Sequence, residues 1–178
     1  IDVAAVDEVI MGCVLPAGLG QSPARQASLK AELPLSAGVV TINKVCGSGL
    51  KAVMLASDMI QSGSAEVIVA GGMESMSNAP YMLPKARGGY RMGHGQTLEH
   101  MMLDGLANHY DGKAMGCFAQ VTADSEEITR SEMDEFALAS LSKANDAIAN
   151  GTFNDEISAV TISTRKGDII VDTDEGPG

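Results

Sequence analysis

The chain predicts an α/β fold, a layered sheet with helices packed on it, followed by a second segment of different character. Three observations carry this. Apolar, β-branched runs alternate with helix-periodic segments in the order strand, helix, strand, helix, strand over residues 6–70. The run V-V-T-I-N-K-V at 39–45 meets C-G-S-G and then a helical pattern with almost no linker. Near Met76 the apolar periodicity stops, and a stretch rich in Gly, Lys and Arg takes over.

Composition narrows the classes. At 178 residues and 45% apolar content the chain is long enough for one domain, or one and a small second, with a real core. Eleven Met and no Trp make that core aliphatic and methionine-rich. A net charge of −11 argues against nucleic acid as a partner, because its binding needs a basic footprint. No apolar run approaches membrane-spanning length, so no membrane role is expected. Cys13, Cys46 and Cys117 form no C-x-x-C pair and no even framework. Reduced thiols in a cytoplasmic protein are the simpler expectation. No signal peptide is evident, although the chain begins in mid-pattern at Ile1.

The elements follow in order. Residues 6–15 read as a strand, with Cys13 as a packed core thiol. Ser22 and Pro23 read as N-cap and first position of a helix running to about Leu33, which Pro34 ends. Arg25 in it reads as a structural ion pair or a solvated charge. A buried strand over 39–45 precedes a helix over 48–62, with Leu50, Val53, Met54, Ser57 and Ile60 as its expected core stripe and Gly63 as its stop. Residues 66–70 read as a third strand. Gly71 and Gly72 lack the G-x-G-x-x-G spacing of a dinucleotide cradle, and the alternative is close backbone turning beneath the Cys46 loop.

Beyond Met76, residues 77–97 read as an exposed excursion with Lys85, Arg87 and Arg91 as a basic patch. His94 and His100 lack a second ligand at metal spacing and read as surface histidines. Amphipathic helices are expected over 98–109 and 115–128. Thr129 to Glu132 fits a capping box. A helix to about Asn150 follows, with Gly151 as its stop. Residues 155–163 and 168–172 read as paired strands around R-K-G-D. Cys117 reads as buried core.

Cys46 invites a chemical reading. At the start of a helix, unpaired N–H groups and the positive end of the dipole favour a thiolate. The same N–H groups can hold an oxyanion formed when sulfur attacks a carbonyl. The flanking glycines leave room for a substrate. This is the logic of a nucleophile elbow with Cys in place of Ser. A lone Cys after an apolar strand is more often a small buried hydrophobe, so spacing alone favours that reading over catalysis.

The residues N-K-V-C-G-S-G-L-K-A-V at 43–53 and V-I-V-A-G-G-M-E-S-M-S-N-A-P at 67–80 resemble the thiolase family, the acyl-CoA or acetyl-CoA C-acetyltransferases. G-Q-S-P-A-R-Q-A at 20–27 and R-K-G-D-I-I-V-D-T-D-E at 165–175 are similar too, so the likeness runs along nearly the whole chain. The resemblance implies a thiolase-like layered αβα core half over 1–76, lacking its first strand and helix. It implies an inserted α+β loop domain over 77–178, lacking its end. It implies Cys46 as the nucleophile, with Leu106 as a pantetheine contact and Met115 lining the acyl pocket. Coenzyme A thioesters are then substrates, with no separate cofactor and no metal. Acyl-CoA or coenzyme A is the expected small-molecule partner, in fatty acid metabolism. A homo-oligomer, dimer or tetramer, is the expected assembly, with the basic excursion as its arm.

The likeness has departures. Many family members carry H-M-G where this chain has Ala114, Met115 and Gly116, which removes a His that reaches toward the pantetheine. The family's G-H-P, C-x-G-G and N-E-A-F blocks, with its base, second Cys and water-holding Asn, are not in this sequence. The expectation is a piece of a thiolase that does not complete turnover alone. Competing readings are a ketoacyl or hydroxymethylglutaryl-CoA synthase-like condensing enzyme, and a non-catalytic thiolase-like domain kept for assembly or binding.

Overall fold

A computed structural model describes residues 1–177. Its first compact unit spans Ile1–Met115 and the second begins at Gly116. The resemblance implies a boundary at 76/77, between a core half and an inserted domain, and the compact units do not divide there. The structural units divide later because 77–115 stays in contact with the sheet end.

The first unit is built on three parallel strands in the order β2-β1-β3, with β1 over Glu8–Gly12, β2 over Gly38–Ile42 and β3 over Ile68–Gly72. Glu8 aligns with Gly38 on one side and Ile68 on the other. As the central strand, β1 is buried on both faces: Val9 packs with Val6, Ala37 and Val39, and Ile10 packs with Ala52, Ala56 and Leu55. Successive side chains point to opposite faces. Helix α2, Ser48–Gln61, covers the Ile10 face. Helix α1, Pro23–Lys30, is tied to β2 where Thr41 Oγ1 accepts the Ala24 N–H at 3.1 Å. Thr41 shares a face with Val39, so the start of α1 lies opposite α2.

Several expectations shift. The first strand stops at Gly12 because the Val14 and Leu15 N–H groups go to the Glu74 carboxylate instead of a ladder. Ser22 precedes α1, but it is left-handed (φ 48°) and its side chain makes no cap bond. That helix ends at Lys30, ahead of Pro34, where Glu32 turns left-handed (φ 57°). Arg25 makes neither an ion pair nor a free charge: it donates to the Ala37 and Leu35 carbonyls and braces the turn into β2.

The largest correction concerns α2. Its sheet-facing side is Ser48, Ala52, Leu55, Ala56 and Met59, while Leu50 is 69% exposed and Val53, Met54 and Ile60 are also exposed. Both sides are apolar, so periodicity could not choose between them. Small residues face the sheet because the helix sits close to it.

Residues Tyr81–Met82 and Leu98–Glu99 pair antiparallel as β4 and β5, closing the exposed excursion between them. The helix expected over 98–109 is replaced by a single π turn, Met102–Leu106. Glu99 accepts the Met101 and Met102 N–H groups at its start.

Helix α3, Met115–Ser125, leads into the second unit. There α4, Arg130–Ala149, opens on the expected capping box, Thr129 with Glu132. Strands β6, Val160–Thr164, and β7, Gly167–Val171, form the expected hairpin around Arg165 and Lys166. Cys117 is exposed on α3, against the expectation of core. Among the described residues no helix is long and apolar enough to cross a membrane.

Two predictions follow from the sheet. A Cβ on Gly12 would lie 2.6 Å from Ser48 Cβ and 2.8 Å from the Gly49 nitrogen. Gly12→Ala should therefore destabilise the fold by about 1–3 kcal/mol, read as a lower urea midpoint at unchanged slope. Asp7 Oδ2 accepts the Glu66 and Val67 N–H groups at 2.7 and 3.0 Å, and these bonds hold its carboxyl below the ordinary value. A depressed carboxyl stabilises above its unfolded pKa and loses that contribution as pH falls through the folded one. Asp7→Asn should thus be less stable than the parent at neutral pH, with the gap closing below about pH 4 in thermal melts.

Candidate active site

Cys46 is exposed at the C-terminal end of the sheet, one residue before Gly47, which caps α2. The backbone leading to it is strained. Val45 is left-handed (φ 48°), a conformation that β-branched residues avoid and that costs about 1–3 kcal/mol. Local bonds hold it there. Asn43 Oδ1 accepts the Val45 N–H at 2.8 Å, an Asx turn. The buried Ser48 hydroxyl accepts the Lys44 N–H at 2.8 Å and donates to the Val45 carbonyl. The Gly47 and Ser48 N–H groups close back on Lys44 and Val45 at 3.2 and 3.0 Å. This is a sharp strand-to-helix elbow that lifts Cys46 out of the sheet.

The elbow overlooks an open depression of about 300 Å³. Gly12, Val14, Gly49, Gly72 and Met73 line it together with Val45, Cys46, Ser48 and Glu74. A Cβ on Gly72 would be 3.5 Å from the Gly49 Cα, and the Met73 N–H bonds to the Gly12 carbonyl at 2.9 Å. A Cβ on Gly72 would thus meet Gly49 at ordinary contact distance, and one on Gly71 would meet the Met11 side chain at 3.7 Å.

Glu74 is the functional-looking residue that sequence reasoning passed over. Its oxygens accept the Val14 N–H at 2.8 Å and the Leu15 N–H at 2.9 Å, and the Cys13 thiol lies 3.6 Å away as a donor. Asn43 Nδ2 reaches the Val14 carbonyl at 3.5 Å from the other side. Cys13 is a packed core thiol as expected, 2% exposed. Burial first, and the Glu74 carboxylate second, push its thiol up from the ordinary value. Contacts about sixty residues apart leave no sequence pattern, whereas Asn43 could have been found from the turn preference of Asn.

The other sequence candidates are spread more widely. Leu106 is half-buried at the end of the π turn, and Met115 is exposed at the start of α3. Neither lines the depression at Cys46. Ala114 pairs with Ala107 in a short bridge. Lys85, Arg87, Arg91 and His94 are exposed in the excursion, but His100 is buried, against the surface reading. Among the described residues no group of three or more His, Cys, Asp or Glu side chains could hold a metal ion.

A family model described as thiolase, N-terminal domain, matches residues 1–178. The chain is 51% identical over 178 residues to an acetyl-CoA acetyltransferase of Pseudomonas aeruginosa, covering 99% of this chain and 45% of that protein. It is 53% identical over 178 residues to an acetyl-CoA acetyltransferase of Escherichia coli, with the same coverage. The crystal structure of Acat5 thiolase from Ascaris suum in complex with coenzyme A superposes with a TM-score of 0.89 at 38% identity, covering 99% of this chain and 44% of that one. The chain thus spans less than half the length of the curated relatives it matches.

Glu74→Gln tests the clamp. An amide offers one acceptor oxygen where the carboxylate offers two, and its NH₂ would face a backbone donor. The variant should lose about 1 kcal/mol of stability in urea titration. Faster hydrogen exchange at the Val14 and Leu15 amides should accompany the loss.

Proposed function

Because the chain belongs to the thiolase N-terminal domain family, we propose that Cys46 is the nucleophile of an acyltransferase that condenses acetyl-CoA or cleaves 3-ketoacyl-CoA by thiolysis. The observation that carries this reading is the strained elbow, which presents an exposed thiol at the start of α2 above an open, glycine-floored depression. The sulfur attacks the thioester carbonyl, coenzyme A leaves as its thiol, and an acyl-enzyme remains. In the cleavage direction the sulfur attacks the keto carbon, and the carbon–carbon bond breaks toward the acetyl-CoA carbanion. The Cys46 amide is the proposed donor to the tetrahedral oxyanion.

Relatives named acetyl-CoA acetyltransferase favour short acyl groups, while Ala114 in place of a pantetheine-facing His argues for a different fit at that end. Leu106 and Met115 are proposed as contacts to the pantetheine and the acyl chain, by the match of their sequence blocks to the family. No further cofactor or metal is proposed. Residues 77–178 are proposed as the family's loop domain, and the apolar outer face of α2 favours an oligomer or a docked second half. The odd, unpaired cysteine set supports a reducing compartment such as the cytoplasm.

The lining residues also bear on turnover. Besides Cys46, Glu74 is the one ionisable side chain among them, and both its oxygens are committed to backbone N–H groups. A base for the thiol and another for the α-proton must come from outside this depression. This supports the reading that the 178-residue chain alone does not complete a cycle.

The test is acetyl transfer. After incubation with acetyl-CoA and an acid quench, peptide mass mapping should place an acetyl group on Cys46, and Cys46→Ser should carry none. An unmodified Cys46 would remove the nucleophile reading and put a binding or assembly role first.

A further inference from the structure

We propose that His100 is a positioning residue for the Cys46 depression, holding the 14–17 loop in the place where Val14 forms one wall. Its ring is buried (5% exposed), yet it lies 83 positions from the loop it serves. Nδ1 lies 2.7 Å from Asp104 Oδ2, and Nε2 lies 3.4 Å from the Ala17 nitrogen. The two partners fix the tautomer: Nδ1–H donates to the carboxylate, and Nε2 accepts the Ala17 N–H.

Asp104 belongs to the π turn Met102–Leu106, a geometry that recurs at functional sites. The next residue, Gly105, backs onto the same loop: a Cβ there would lie 3.6 Å from Leu15 Cδ2 and 4.0 Å from Val14 Cγ1. The loop is thus held at Ala17 by the ring, at Val14 and Leu15 by Glu74, and from behind by the π turn. Removing the ring frees one of these three supports and leaves the elbow bonds of Asn43 and Ser48 untouched. The effect is therefore on access to Cys46, with the intrinsic reactivity of the thiol kept.

The functional meaning of this wall rests on the nucleophile reading, but the test needs no coenzyme A. Alkylation of Cys46 is followed by peptide mass with two reagents, small iodoacetamide and a bulky fluorescein-bearing maleimide. In His100→Ala the bulky-to-small rate ratio at Cys46 should rise about threefold, while the iodoacetamide rate stays as in the parent. Ala17 amide exchange should quicken about fivefold, the factor that one net hydrogen bond carries. His100→Gln, whose side-chain oxygen can accept the Ala17 N–H, should restore both to parent values. An unchanged ratio in His100→Ala overturns the proposal. So does a Gln variant that behaves like Ala, since packing volume would then be the whole effect. Should His100→Ala fail to fold, Asp104→Ala frees the ring without emptying the site, and the same ratio decides. Failure of acetyl transfer from acetyl-CoA would sink the nucleophile reading while leaving these labelling results standing.

Discussion

The first unit depends on how closely the start of α2 seats on the ends of β1 and β3. Gly12, Gly49 and Gly72 stack there with backbone against backbone, and a single added Cβ at Gly12 meets Ser48 within 2.6 Å. Where the helix is that close, small side chains meet the sheet: Ser48, Ala52 and Ala56 are its buried residues, with Leu55 and Met59 half-buried beside them. Leu50, Val53, Met54 and Ile60 are left to the outer face. The same closeness removes the length of chain that would let β2 run smoothly into α2. The turn must be sharp, and Val45 takes the left-handed strain. Asn43 and Ser48 then spend their side chains on the backbone of that turn, not on solvent.

A strained turn holds only when its neighbours over-determine it. The 14–17 loop supplies that second layer. It has left the β1 ladder, so its N–H groups need acceptors from elsewhere. Glu74 and His100 provide them from two distant parts of the chain. Charge and tautomer matter here in a way that bulk does not. A carboxylate is acceptor-only and can serve two donors at once, and a neutral imidazole can donate at one nitrogen and accept at the other.

Much of the fold was legible because it rests on local rules. Alternating β-branched runs and helical periods marked the three parallel strands and two helices. Thr129 with Glu132 marked the start of α4, and Lys166-Gly167 marked the hairpin turn. Cys46 and its glycines were legible for the same reason, since a strand, a tight turn and a helix are contiguous in sequence. What was not legible was pairwise and remote. The burial of His100 depends on Ala17 and Asp104 meeting it, whereas its place just after the exposed excursion points to an exposed ring. Leu50, Val53 and Met54 were misplaced because hydrophobicity counts carbon and does not count the width of the gap beneath a helix. Cys117 was misplaced because free Cys is buried on average, and the average does not say which face of α3 it lies on.

The division of labour around Cys46 follows from the same geometry. The backbone crowding that makes the elbow also fills the floor of the depression with glycine and turn peptide. Glu74, the one nearby carboxylate, is already consumed in holding Val14 and Leu15. A site built this way separates presenting a nucleophile from moving its proton. The first task needs a rigid, strained backbone, and at Gly12 that backbone leaves no room for a Cβ. The second needs a side chain free to change protonation state, which is what the supports of a strained turn cannot do without releasing it. On the proposed nucleophile reading, proton transfer would then fall to a structural element other than the elbow.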